Sequence, residues 1–344
     1  MQPIDSSARR VIRKWLLETA MPGRSVNYAD LPRMSRNCAK HLFSMAREQK
    51  TLSNLLSVIE EHGADEPWAD IFQKCQADRR LELVTMARLK KLGEAILSEC
   101  SSSRLTIVKG PSFADRIYPQ ASLRAFTDID ILVAPDAVEA LAESLEQQGF
   151  EFQERTPPVP GHPEQQYLHR EFPNLLVETH TDVVHSKRLR ETIRLTYDDV
   201  ADAPQAPSTQ LLVALAHGFV VNQYKQIGNI VDVVLAARNI DEPEDMSRIE
   251  HYAGQRGNRV WLYCGLITAG RILDDDRCIE LGRQLGGGRL SGLSAKIIKN
   301  QLVPTKIAEQ NVQRWTRKMV RLLMIRQARK CLAANGLRSG GDLG

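Results

Sequence analysis

Asp128 and Asp130 lie two residues apart in the run Asp-Ile-Asp-Ile-Leu-Val, which ends at Val133. A run of that composition reads as a β-strand, and side chains two apart on a strand leave from the same face. The two carboxylates are therefore neighbours, with Ile129, Ile131 and Val133 turned the other way into a core. Like charges side by side repel, and one takes up a proton unless a cation neutralises the pair. A hard divalent cation such as Mg2+ resolves the repulsion with oxygen ligands. Glycoside hydrolysis is excluded on geometry. Its two carboxyl groups must flank a sugar about 5–9 Å apart, whereas neighbours on one strand face converge.

The elements around this pair can be read from the same stretch. Leu105 to Val108 is a short β run, Lys109-Gly110 turns it into a helix from about Ser112 to Tyr118, and Pro119 ends that helix. A polar bend to Ala125 leads into the aspartate strand. Pro135-Asp136 opens a further helix with Val138, Leu141 and Leu145 at helical spacing, closed by Gly149. Phe150 to Glu154 is a short strand. The segment from Thr156 to Pro163 is too rich in proline for regular structure. Tyr167 to Phe172 and Leu175 to Val184 read as a pair of strands, and alternation puts Glu178, His180 and Asp182 on one face.

Three regions follow: helices over 1–78, an α/β core over 79–205, and helices again over 206–344. In the first, Val11, Ile12, Trp15 and Leu16 mark a helix stopped by Pro22-Gly23. A second helical stretch runs from about Ser35 to Glu61, and a third follows Pro67. This region is expected to be a cap or dimerisation module with no chemistry. A long helix from about Asp78 to Glu99 leads into the core.

Several of these pieces together resemble a known family. They are Lys109-Gly110, Tyr118-Pro119, Arg124, the Asp128-to-Val133 run, Gly149-Phe150 after a helix, Val177-Glu-Thr-His180 on a later strand, and His217 with Asp232 in a helical region. In this order they resemble the bacterial uncharacterised nucleotidyltransferase family of the polymerase-β-like superfamily, from roughly Leu81 to Asp274. The resemblance implies an α/β (α+β) fold, a small mixed sheet flanked by N- and C-terminal helical regions. It also implies metal-dependent transfer of a nucleoside monophosphate from a nucleoside triphosphate, ATP by default, with release of pyrophosphate.

In that reading Mg2+ or Mn2+ is held by Asp128 and Asp130, with Glu178 as the third carboxylate. Lys109 and Arg124 neutralise triphosphate oxygens. Gly110 lets backbone approach phosphate closely, and Ser112 at the helix start adds a donor. His180 orients or hydrogen-bonds a carboxylate of the site. His217 and Asp232 are expected as a buried polar pair between two helices, or as contacts to base or acceptor. A small-molecule or peptide acceptor is expected over nucleic acid. The competing class is a non-catalytic nucleotide-binding or interaction protein that retains the fold.

Composition narrows the setting. With 42% apolar and 26% charged residues the chain is ordinary globular protein, and no apolar stretch approaches the ~20 residues of a membrane helix. The N-terminus lacks the apolar core of a secretion signal, so a cytoplasmic protein is expected. Six scattered cysteines without a Cys-x-x-Cys pair exclude a zinc ribbon and a disulfide framework. A net charge of +4 is too small to indicate nucleic acid. Zinc held by His180, Asp182 and His185 with His162 or His169 is disfavoured, because residues five apart on one strand point to opposite faces. Gly286-Gly-Gly288 lacks the Lys-Ser/Thr of a phosphate loop. Between Lys296 and Arg338, eleven basic residues accompany one acid, and Trp315, Met319, Leu322 and Leu323 sit at helical spacing. A basic amphipathic helix is expected there.

Overall fold

The computed structural model describes residues 5–26, 34–63, 68–100, 103–154, 162–191, 193–255 and 258–286. The basic helix expected beyond Lys296 lies outside the described residues. The chain opens with α1 (Ser6–Glu18), capped by the Asp5 carboxylate, which accepts from the Ala8 N–H at 2.7 Å. Then come α2 (Arg36–Glu48) and α3 (Leu52–His62), where the sequence suggests one helix. The break is a helix-ending motif. The Thr51 N–H reaches the Ala46 carbonyl at 2.8 Å and the Lys50 N–H reaches that of Arg47 at 3.1 Å. Lys50 takes the left-handed position, φ 57°, where glycine is usual.

Next is α4 (Ala69–Glu99), continuous where two helices are expected, and the expected boundary at 78/79 falls inside it. Its Phe72 packs among the flanking helices, and its Leu89 and Ile96 pack under the sheet. The core continues through β1 (Leu105–Ile107), α5 (Pro111–Arg116), β2 (Asp128–Val133), α6 (Val138–Gln147), β3 (Phe150–Gln153), β4 (Glu164–His169) and β5 (Leu176–His180). A short α7 (Lys187–Arg190) leads to α8 (Pro207–Leu215), which runs on into a π-helical turn, Ala216–Val221. The last helices are α9 (Ile227–Arg238), α10 (Pro243–Gly254), α11 (Asn258–Leu273) and α12 (Asp276–Leu285).

The sheet order is β1-β2-β5-β4-β3, with β2 and β5 parallel and every other pair antiparallel. This is the mixed sheet with flanking helices that the resemblance implies. The period of two decides its faces. Ile129, Ile131 and Val133 of β2 and Val177 of β5 are fully buried against α4 and α6. Each such side chain contributes about 1.5–3 kcal/mol. The even-numbered residues of β2 face the other way, and Leu132 there joins the apolar cluster of α1–α3 and α8–α12. N-terminal and C-terminal helices thus share one core on the aspartate side of the sheet. None of the described helices is long and apolar enough to cross a membrane, and no disulfide links the described cysteines.

Candidate active site

Parallel pairing of β2 and β5 sets Asp130 opposite Glu178. Antiparallel pairing of β5 and β4 sets Glu178 opposite Gln166 and His180 opposite Glu164. The aspartate face of the sheet is therefore a polar lattice. Lys109 follows β1 and turns its ammonium onto Asp130, Nζ to Oδ1 2.6 Å, with both side chains buried. His180 donates from Nε2 to the same oxygen at 3.1 Å. Gln166 donates to Glu178 Oε1 at 2.8 Å. The ligand atoms of Asp130, Glu178 and His180 lie within 4.8 Å of one another. Asp128 lies outside that group, and it lines the same cavity.

Gly110 lets Lys109 sit there. Its φ is +59°, and a Cβ would lie 2.6 Å from the Asp128 carbonyl oxygen, so no other residue fits between the turn and β2. The close approach made by this glycine is thus to the chain's own backbone. Ser112 lies in the first turn of α5 and does not line the cavity.

Arg124 is committed elsewhere. It donates from Nε to Asp232 Oδ1 at 2.9 Å and from Nη2 to Oδ2 at 3.1 Å, and its third nitrogen reaches the Gly110 carbonyl at 3.3 Å. The Tyr118 hydroxyl donates to Asp232 Oδ1 at 2.9 Å, and the guanidinium lies 5.0 Å from the Phe113 ring centroid. Asp232 thus pairs with Arg124 and Tyr118 and not with His217, correcting the expected helix-to-helix pair. His217 sits in the π-helical turn and contacts Asn222 through Nε2 at 3.0 Å. Both residues still line the cavity.

That cavity holds about 730 Å3, and its walls include Asp128, Asp130, Glu178, Lys109, Arg124 and Asn229. They also include Arg47, Lys50, Leu52 and Ser53 from the N-terminal helices, the region expected to carry no chemistry. The sequence signal for Lys50 was faint: a charged residue sits in a helical run with no glycine or proline to mark the break. The tertiary fit is specific. Gly228 at the start of α9 packs so closely that a Cβ would lie 2.8 Å from the Lys50 Cβ, and its N–H reaches the Gln49 carbonyl at 2.9 Å. Asn229 Nδ2 beside it is buried with no hydrogen-bond partner among the described residues.

The charges explain the protonation states. Burial and then the Asp130 charge raise the Asp128 carboxyl, against Lys109 and Lys50. Burial would raise Asp130 as well, but the Lys109 charge and the His180 hydrogen bond hold it well below the usual range. Glu178 is pushed up to about 7 by burial, with Asp130, Glu164 and Asp128 adding to it. Burial and then Lys109 lower His217 well below its ordinary value. Of the three carboxylates Asp130 alone meets an ammonium, that of Lys109, among the described residues, and the oxygen donors suit a hard dication.

The second histidine group behaves differently from the sequence expectation. β5 stops at His180 and the chain turns, with Asp182 Oδ1 accepting from the N–H groups of Val184 at 2.8 Å and Leu195 at 3.3 Å. The opposite-face argument therefore fails beyond His180. His185 returns to stack on His180, centroids 5.2 Å apart and planes 7° apart. His185 Nδ1 meets Glu164 Oε2 at 3.0 Å, and the His162 ring lies 5.6 Å from the His185 ring.

The mixed sheet thus carries carboxylates on adjacent strands that open on a cavity also lined by lysines. The chain belongs to the family described as uncharacterised nucleotidyltransferase, which matches residues 37–274, and it is an enzyme of that class. The match begins in α2, well before the Leu81 at which the sequence resemblance starts, so the Lys50 turn lies within the family's extent. No curated protein and no solved structure matches the chain.

Proposed function

We propose that this chain transfers a nucleoside monophosphate from a nucleoside triphosphate, ATP by default, to a small-molecule or peptide acceptor. The observation that carries the reading is one cavity lined by Asp128, Asp130 and Glu178 and also by Lys50 and Lys109. Its volume of about 730 Å3 is that of a small-ligand site. An acceptor oxygen attacks the α-phosphorus, the bond to the bridging oxygen breaks, pyrophosphate leaves, and the acceptor proton passes to solvent. Asp128, Asp130 and Glu178 would hold a dication, Mg2+ or Mn2+, which would supply charge to lower the acceptor pKa and offset the triphosphate.

The residues of the chain divide the remaining work. His180 and Lys109 fix the Asp130 carboxylate in one orientation. Arg124, bound to Asp232, braces the Lys109-Gly110 turn through the Gly110 carbonyl. Lys50 is the cation offered to phosphate. No ion pair within 4.0 Å engages it among the described residues, and it is held in a conformation that costs a lysine about 1 kcal/mol. Arg47, by contrast, pairs with Asp78 at 2.7 Å.

The test is incubation with each triphosphate labelled at the α- or γ-phosphorus, Mg2+ or Mn2+, and a panel of small-molecule, peptide and RNA acceptors. Transfer of the α-label alone, with pyrophosphate release, supports the reading. Transfer of the γ-label assigns phosphoryl transfer instead. Transfer to RNA, with affinity that falls steeply with salt, overturns the acceptor class.

A further inference from the structure

We propose that His162, Glu164 and His185 form a second cation site, separate from the carboxylate site, that takes a first-row transition-metal dication such as Zn2+. The ligand atoms of the three residues lie within 4.8 Å of one another. His162 and Glu164 flank Pro163 at the start of β4, and the tertiary fold brings His185 to them from the turn after β5. Glu164 is the centre. Its carboxylate is almost fully buried, with His185 Nδ1 at 3.0 Å from Oε2 and Gln166 donating to Oε1 at 3.1 Å.

The His185–Glu164 contact of 3.0 Å is close to the ligand spacing around a bound ion, and the other pairs lie within 4.8 Å. Ligand atoms at 2.0–2.1 Å from a tetrahedral Zn2+ stand roughly 3.4 Å apart. A cation replacing the proton between His185 and Glu164 therefore needs that contact to open by a few tenths of an ångström. The His162 ring is oriented by the backbone of Glu164, its Nδ1 lying 3.2 Å from the N–H and 3.3 Å from the carbonyl oxygen. Such backbone support is what orients imidazole ligands at metal sites. Two imidazoles and one carboxylate select Zn2+ and its neighbours over Mg2+, the reverse of the all-carboxylate set on β2 and β5. Three protein ligands leave a fourth position for water or a substrate atom. The His185 side chain is 26% exposed, so the position is reachable from solvent.

The site has a direct neighbour in the transfer machinery. His185 stacks on His180, and His180 holds Asp130. A dication at Glu164 ties the start of β4 to the turn after β5 and stiffens the ring stack behind Asp130.

The experiment uses the full chain, Zn2+ alone by calorimetry, and Co2+ alone by visible absorption. In the Asp128→Asn/Glu178→Gln variant, one equivalent of Zn2+ is expected to bind still, and Co2+ to give the intense bands of four-coordination. His162→Ala and His185→Gln, made separately in that background, should each weaken Zn2+ at least tenfold in metal-free proteins that still melt cooperatively. Loss of all Zn2+ binding in the carboxylate variant, or undiminished binding in both histidine variants, overturns the proposal. Should a histidine variant fail to fold, X-ray absorption of Zn2+ on the carboxylate variant decides: two imidazoles in the shell support the site, and none or one overturns it.

Discussion

Arg124 grips Asp232 with two parallel hydrogen bonds of 2.9 and 3.1 Å, both side chains largely buried. Burial alone lowers the arginine's pKa, and the Asp232 charge and hydrogen bonds more than reverse it. The pair ties the bend before β2 to α9, so a residue expected to bind phosphate also holds two elements of the cavity together. Removing one partner of a buried pair leaves a charge uncompensated and costs about 3–5 kcal/mol. Asp232→Ala should therefore destabilise the fold by that amount in urea unfolding, and Arg124→Met/Asp232→Leu by much less. Singles within 1 kcal/mol of wild type would show that the pair is not structural.

Asp128 and Asp130 are expected to separate in their effects. Asp128 is raised by burial and by its neighbour's charge, so Asp128→Asn relieves repulsion and should abolish transfer while preserving or raising stability. Asp130 is the partner of Lys109 at 2.6 Å. Asp130→Asn should abolish transfer and also destabilise, because Lys109 keeps its burial and loses its counter-charge. Activity assays and denaturant melts of both variants check this. Near-wild-type turnover in either removes that residue from the mechanism.

Lys50 sets function against stability. Replacing it with glycine removes the left-handed strain, so Lys50→Gly should gain about 1 kcal/mol in unfolding free energy. The same change should weaken triphosphate binding by roughly 1.5–3 kcal/mol, the size of a lost charge-assisted contact. Calorimetry with a non-hydrolysable triphosphate, alongside thermal melts, measures both. Unchanged nucleotide affinity would make the lysine a bystander at the cavity wall.

Asp182 supplies a pH signature away from the transfer chemistry. Burial raises its carboxyl to about 6, against hydrogen bonds from Val184 and Leu195. A carboxyl raised in the folded state binds its proton more tightly there than in the unfolded chain. Its contribution is therefore fully present below the unfolded value of 3.8 and is lost as pH rises through about 6. The loss is on the order of 2–3 kcal/mol for a shift of this size in a buried group. Asp182→Asn keeps an acceptor for both N–H groups and should flatten stability between those limits. Parallel pH profiles for wild type and variant would assign the slope to another group.

The sequence by itself determined the sheet strands that carry chemistry. A period of two in Asp128-Ile-Asp130-Ile separates carboxylates from core whatever surrounds them. Gly110 was likewise legible as a tight turn, although its close neighbour is the Asp128 carbonyl. Only the tertiary structure decided which partner each charged group takes. Arg124 and Asp232 are 108 residues apart and Lys50 and Gly228 meet across 178, and nothing in local periodicity encodes such distances. Helix ends were decided the same way. The backbone at Lys50 turns left-handed because α9 packs against it, and β5 ends at His180 because Asp182 binds the backbone of the following turn. Pattern fixes which face of an element is apolar; packing between distant elements fixes where the polar atoms on the other face find their partners.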